Sequence, residues 1–174
     1  MEDHLRLLPG RHLMIVRQSR IYRADLRANP GVLYVFGDNV TRRGLGGQAA
    51  EMRDEPNAVG VATKWSPGNH TLDYFDDFQF EKIANIIDAD LERVRVHLDA
   101  GYVVVVPLDG IGTGLSELPE RAPRVYEYIQ ALGLAPAQEK IAPHPCPYKV
   151  EIMYDSDTLC TCDANAEGVC RMEV

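Results

Sequence analysis

Apolar residues in this chain fall into short unbroken runs separated by longer amphipathic stretches. Residues 12–18 (HLMIVRQ) are partly β-branched and bounded by polar residues, a pattern that predicts a strand. Residues 22–31 (YRADLRANPG) close on Asn-Pro-Gly, which punctuates the chain before the run VLYVF at 32–36. A run without polar alternation suits a strand buried on both faces, and AVGVAT at 58–63 reads the same way before the loop WSPGNHTLDYFDD. From residue 80 to 98, Phe80, Ile83, Ile87, Leu91, Val94 and Leu98 recur at intervals of three and four, with Glu81, Lys82, Asp88, Glu92 and Arg95 on other faces. This is an amphipathic helix. Gly101 stands where a helix-terminating glycine belongs, and YVVVVP at 102–107 supplies another buried strand. Leu118, Ala122, Val125, Ile129 and Leu132 form a second helical stripe, blurred at its start by Pro123 and stopped by Gly133. Residues 134–147 read as a proline-rich excursion, and YKVEIMY at 148–154 as a last strand.

Strands alternating with helices predict an α/β domain of three layers, with helices on both faces of a mostly parallel sheet. The length, 174 residues, suits one such domain. Its expected extent is 1–150, with a cysteine-containing extension over 151–174.

Charge narrows the function. Eighteen basic and 26 acidic side chains give a formal net charge of -8. A broad footprint for nucleic acid or an anionic membrane is therefore not expected, and an anionic ligand would have to be held locally, by backbone donors or a few arginines. No window approaches the roughly 18 to 20 apolar residues that cross a bilayer, and MEDHLRLLPG lacks the apolar core of a signal peptide. The expected location is cytoplasmic. Cys146, Cys160, Cys162 and Cys170 cluster near the end, with His144 close by. Four such donors could hold a tetrahedral zinc, but Cys-x-Cys is not the usual Cys-x₂-Cys spacing, so thiols without a metal are the expectation.

The candidate chemistry lies in two glycine-rich loops, each directly after a buried strand: GDNVTRRGLGG after VLYVF and DGIGTGLSEL after YVVVV. Ligands of open α/β sheets gather where loops leave the carboxyl ends of strands. Gly44, Gly46 and Gly47 would let a phosphate approach the main chain, and the positive end of the following helix would add to the field. Gly110, Gly112 and Gly114, with the Thr113 hydroxyl, could clasp the same diphosphate from the other side. The competing reading is that these glycines only permit tight turns. Neither loop has the GK[ST] of a P-loop or a GxGxxG, which disfavours an ordinary ATPase or dinucleotide dehydrogenase.

The order strand, polar residues ending in Asn39, glycine turn, helix, and later strand, GxGTG loop, helix resembles the macro domains, which bind ADP-ribose and some of which hydrolyse its derivatives. More closely, VFGDN, GLGGQAAEMR, EPNAVGVATK and DGIGTGLSELPERAP resemble a phage-type family of small uncharacterised proteins, over about residues 21–132. The macro likeness implies a macro-like three-layer fold, a distal-ribose contact for Asn39, one diphosphate loop at Gly46 and Gly47, and a second at Gly112, Thr113 and Gly114. The chain departs from that pattern by placing Gly37 and Asp38 where small apolar residues usually precede the asparagine.

Asp38 could then be a general base for water attacking an anomeric carbon, with Asn39 orienting the ribose; alternatively both residues cap the turn. Arg42 and Arg43 could grip a phosphate or stand as solvated charges. Gln48 could read a ligand amide or face water. Lys64 and Trp65 end the third strand at the same rim, where Trp65 could stack on a base or pack in the core. Asp109 could bind ribose or a metal, or act as a turn carboxylate. The leading expectation is an ADP-ribose-like nucleotide or nucleotide-derived metabolite held between the loops, with no cofactor and no metal. Hydrolysis of an ADP-ribosyl or related glycosidic bond is its enzymatic version. A non-catalytic reader or sequestering protein and a purely structural domain are the alternatives.

Overall fold

A computed structural model describes residues 14–134 and the backbone of residues 150–152. His144 and the four cysteines lie outside the described residues. The elements in chain order are β1 (Ile15–Gln18), α1 (Arg23–Ala28), β2 (Leu33–Asn39), α2 (Ala49–Met52), β3 (Ala58–Lys64), α3 (Phe80–Asp99), β4 (Val104–Pro107), α4 (Leu118–Arg121), α5 (Pro123–Ile129) and β5 (Val150–Ile152). They build one five-stranded sheet in the order β3-β2-β4-β1-β5. The first four strands run parallel, and β5 pairs antiparallel to β1 across the boundary expected at residue 150.

Alternation along each strand divides the core into two layers. Leu33, Val35, Val61, Val104 and Val106 pack with Ile83, Ile87 and Leu91 of α3 and with Val125 and Ile129 of α5. On the opposite face Val16, Tyr34, Phe36 and Val105 pack with Leu26 of α1 and Met52 of α2. The three-layer α/β domain expected from the sequence is the one observed. Helix α3 ends as expected, with Gly101 at φ 83° just beyond it.

Three elements differ from the sequence pattern. The short α1 was hidden by its mixed composition; it is fixed by Asp25, whose carboxylate accepts the N–H of Tyr22 (2.8 Å). Strand β2 runs through Gly37 to Asn39, so Asp38 and Asn39 end a strand instead of opening a loop. The second helical stripe is two helices, because Pro123 has no N–H and excludes the α region for the residue before it; Ala122 sits at φ -144° and ψ 67°. Asp77, from the turn before α3, supplies the missing cap of α5. Its carboxylate accepts the N–H groups of Arg124 (3.0 Å) and Val125 (3.1 Å).

One interruption in the sheet matters most. β2 and β4 share only the register pairs Leu33–Val104 and Tyr34–Val105. Backbone groups alternate sides along a strand: Val103 accepts from Leu33 of β2, and Val104 donates to Met14 on the β1 side. By the same alternation residue 107 faces β2, and Pro107 has no N–H to give. Its carbonyl is already taken by the N–H of Gly110 (2.9 Å). The ladder therefore stops while β2 continues to Asn39, and the two strands part at their carboxyl ends. The chain leaving β2 enters α2 on one face, whereas the chain leaving β4 enters α5 on the other.

The outer edge of β3 is covered by arginine and aspartate side chains. Asp90 of α3 accepts the N–H of Ala62 (2.8 Å) and pairs with Arg42, which donates to the Gly60 carbonyl (3.0 Å). Arg93 donates to the carbonyls of Ala58 (3.2 Å) and Pro56. An unpaired edge is a template for association, and these contacts occupy it. Asp90→Ala is expected to strand the buried N–H of Ala62 and destabilise the fold by about 1 to 3 kcal/mol. Urea unfolding should show a lower midpoint with an unchanged m-value; an unchanged midpoint would show that the edge contact contributes nothing.

Candidate functional site

A cleft of about 490 Å³ opens where β2 and β4 part. The loops after both strands line it, joined by Ser19 after β1, by Lys64 at the end of β3, and by Pro67 and Asn69 beyond it. This is the crevice outside the carboxyl ends of adjacent strands whose connections diverge, the usual ligand position in open α/β sheets. Apolar contact is available from Leu45 and Leu115, each 67% exposed, and from Ile111 at the floor. The loops meet here: a side chain on Gly46 would place its Cβ 2.9 Å from Leu115 Cδ1.

The first loop is held from the strand side. Asp38 is buried, and its carboxylate takes two guanidinium nitrogens of Arg53, one of them Nη1 at 3.1 Å, plus the N–H of Asn39 at 2.8 Å. Arg42 stands 3.7 Å away as a weaker third partner. The Asp38 side chain lies against Gly60 of β3, where a Cβ would sit 2.5 Å from Oδ2. Asn39 is saturated within the turn: its amide donates to the Arg43 carbonyl (2.7 Å), and its oxygen accepts from the Thr41 hydroxyl (2.6 Å). Arg53 continues the bracing with a bond from Nε to the Gly44 carbonyl (2.8 Å).

The second loop braces itself. The Gly112 carbonyl accepts from the Ser116 hydroxyl (3.0 Å) and the Leu118 N–H (3.1 Å), and the Asp109 carbonyl accepts from the Thr113 hydroxyl (3.0 Å). Gly112 needs φ 94°, and a side chain there would run into Leu118. Each loop also carries one non-glycine residue in the left-handed region, Arg42 at φ 55° and Glu117 at φ 50°. Such backbone strain persists only where the surroundings enforce it.

These bonds leave a donor excess. Carbonyls of Arg43, Gly44, Gly46, Gly47, Gln48, Asp109, Gly112 and Gly114 all accept hydrogen bonds. By contrast, the N–H groups of residues 45–48 and 112–116 find no acceptor among the described residues. Main-chain N–H runs of this kind form concavities suited to anions. The field expected from following helices is small, because α2 and α4 are single turns with few aligned peptides.

Most residues singled out in the sequence come together here: Asp38, Asn39, Arg43, Gly44, Gly46, Gly47, Gln48, Lys64, Asp109, Gly110, Gly112, Thr113 and Gly114 all line the cleft. The Arg43 guanidinium has no partner among the described residues. Lys64 is buried, donates to the Gly68 carbonyl (2.8 Å) and lies 3.9 Å from the Tyr74 ring centroid. The Gln48 side-chain oxygen is buried without a donor among the described residues.

Two residues do not join them. Arg42 is drawn to Asp90 at the sheet edge. Trp65 packs edge-on to Phe75 (4.8 Å between centroids) beneath Lys82, so its ring is committed to the core and is not presented to a ligand. Sequence reasoning missed Arg53, whose partners come from a strand 15 residues earlier. It also missed Ser19, which the carboxyl-end rule would have found had it been applied to β1. Gln18 positions that turn by donating to the Arg20 carbonyl (2.7 Å) and to Asp25 (2.9 Å), whose carboxyl is pushed up from its ordinary value by burial.

Fold and cleft together define an α/β domain with a ligand-sized crevice at a topological switch point. The chain belongs to a family of unknown function (DUF7831), whose model matches residues 16–132 and so spans both loops and every cleft-lining residue. No curated protein and no solved structure matches the chain. No helix among the described residues is long and apolar enough to cross a membrane, and none of their acidic, histidine or cysteine side chains group as metal ligands.

The third wall of the cleft depends on Asp73. Its carboxyl is held below its ordinary value by the Ser66 hydroxyl first and then by the His70 N–H, and its carbonyl accepts the N–H of Trp65 (2.9 Å). Because the folded-state pKa is depressed, the stabilisation is complete above the ordinary carboxylate value of about 3.9 and is lost as pH falls through the folded one. Asp73→Asn should therefore lower the melting temperature at pH 7, with the gap to wild type closing below about pH 4. Melts by circular dichroism from pH 7 to 3 test this; a gap independent of pH would assign the effect to shape and not to ionisation.

Proposed function

We propose that the cleft binds an ADP-ribose-like nucleotide or nucleotide-derived metabolite through its phosphates, and that the protein acts as a binder. The supporting observation is that two glycine loops line one crevice and that the N–H groups of residues 45–48 and 112–116 have no acceptor among the described residues, whereas the carbonyls of Gly46, Gly47, Gln48, Gly112 and Gly114 do accept hydrogen bonds. A phosphate offers acceptors only, so it is the complementary group. Arg43 and Lys64 add positive charge, and Leu45, Leu115 and Pro67 offer apolar surface for a sugar or base. A domain in which the glycines only shape turns would have no need to line one crevice with two donor-rich loops.

The hydrolytic version is less well supported. A general base must offer a lone pair to water, and the Asp38 oxygens are occupied by Arg53 and the Asn39 N–H. Proton transfer to Asp38 would first require that ion pair to open. Asn39, whose amide is consumed within the turn, is likewise better suited to holding the loop than to orienting a ribose.

Gly114 gives the cleanest test. It needs no left-handed backbone, and a Cβ added there meets nothing within 4 Å, whereas Gly47 sits at φ 57° and would be strained by any side chain. Gly114→Val should leave the unligated melting temperature nearly unchanged and weaken binding at least about tenfold, as expected when a side chain stands between phosphate and main chain. Calorimetric titration with ADP-ribose, NAD and cyclic nucleotides measures this. A ligand held at 100 times its Kd should also stabilise wild type by about 2.7 kcal/mol. If none of these compounds binds or raises the melting temperature, the nucleotide reading is wrong. Turnover of ADP-ribosyl substrates by wild type, with kcat at saturating substrate abolished in Asp38→Asn and not only KM raised, would restore the hydrolytic version.

A further inference from the structure

We propose that Arg53 is a positioning residue that pre-forms the first anion-binding loop, with Asp38 as its anchor; this role rests on the phosphate-binding reading of the cleft. The geometry follows from peptide planarity. In a trans peptide the C=O of one residue and the N–H of the next point in opposite directions, and no cis peptide occurs among the described residues. Arg53 Nε draws in the Gly44 carbonyl at 2.8 Å, and Asn39 Nδ2 draws in the Arg43 carbonyl at 2.7 Å, with Arg53 Nη2 at 3.4 Å from the same oxygen. The N–H groups of Gly44 and Leu45 are thereby turned to the face opposite the clamp, at the head of the donor run that continues to Gln48.

The clamp is rigid because Arg53 is fixed at its other side. Two of its nitrogens reach the Asp38 carboxylate, and the guanidinium lies 5.9 Å from the Phe36 ring centroid. Its side chain is only 12% exposed and that of Asp38 4%, so neither is a loose surface charge. A planar fork can serve a carboxylate with one edge and carbonyls with the other, which an ammonium cannot. Asp38 thus acts on the ligand through Arg53 and the loop.

Charge and geometry make opposite predictions for Asp38. If Asp38 were only a negative charge beside an anion site, removing it would strengthen binding. If it anchors the clamp, Asp38→Asn weakens binding, because Arg53 is released and the loop loses its set. The test measures inorganic pyrophosphate binding by calorimetry for wild type, Asp38→Asn, Arg53→Gln and Arg53→Lys, together with ¹⁵N relaxation of residues 44–48 and 112–116 without ligand. Expected are at least a tenfold loss for all three variants, no rescue by lysine, and order parameters at 44–48 falling below about 0.6 while those at 112–116 stay near those of a rigid backbone. Asp38→Asn, which preserves shape, carries the test if Arg53→Gln fails to fold.

Tighter or equal binding by Asp38→Asn, or a first loop that stays rigid in the variants, overturns the clamp. Failure of wild type to bind pyrophosphate counts against the phosphate reading alone. The clamp is then decided by relaxation: a loosened loop in the variants supports it and a rigid one rejects it.

Discussion

The parallel ladder between β2 and β4 stops at Tyr34 and Val105, and much of the molecule answers to that stop. Pro107 withholds the one donor that would carry pairing further, so β2 extends past β4 and stays paired with β3 alone. Polar backbone at a parting of strands must find other partners, since an unsatisfied buried group costs as much as a lost hydrogen bond. Asp38, Asn39 and Arg53 provide them on the β2 side, and the turn of Gly110 onto Pro107 provides one on the β4 side. Cleft formation and strand termination are thus one event.

Placing an ion pair there has a cost of its own. Asp38 and Arg53 are both largely withdrawn from water, and buried pairs often gain little net stability because desolvation offsets their attraction. Their value lies in specificity of conformation. A loop rich in glycine has many accessible states, and fixing one of them needs directional contacts at several points. Gly60 makes room for the carboxylate, much as Gly68 makes room for Asp73 in the segment after β3. These two glycines serve packing, and Gly112 adds a left-handed backbone to its own packing requirement against Leu118.

The layered α/β architecture was legible because buried parallel strands and the stripe from Phe80 to Leu98 have strong periodic signatures. Boundaries were less so: nothing in residues 37–39 marks them as strand, since Gly-Asp-Asn is loop-like by composition and becomes strand through pairing with β3. The cleft could be located because strand ends concentrate loops, and both glycine loops were read correctly as neighbours. The occupation of individual side chains could not be. Trp65 and Arg42 sit beside cleft residues in sequence, yet Phe75 and Asp90 claim them, and these partners come from 10 and 48 positions away. Arg53 was invisible for the same reason: its meaning depends on a carboxylate brought near only by folding.

The covering of the β3 edge has a consequence for how the chain reaches its native state. The strand and most of its guard, Asp90 and Arg93, belong to one continuous stretch of residues 56–99, and the remaining guard, Arg42, comes from just upstream. As a nascent polypeptide emerges, that stretch appears before β4 and β5 exist. The exposed rim of the half-built sheet can therefore be closed by the helix that follows it, without waiting for the rest of the domain. Transiently open strand edges are where intermediates aggregate. Here the protection travels with the strand it protects.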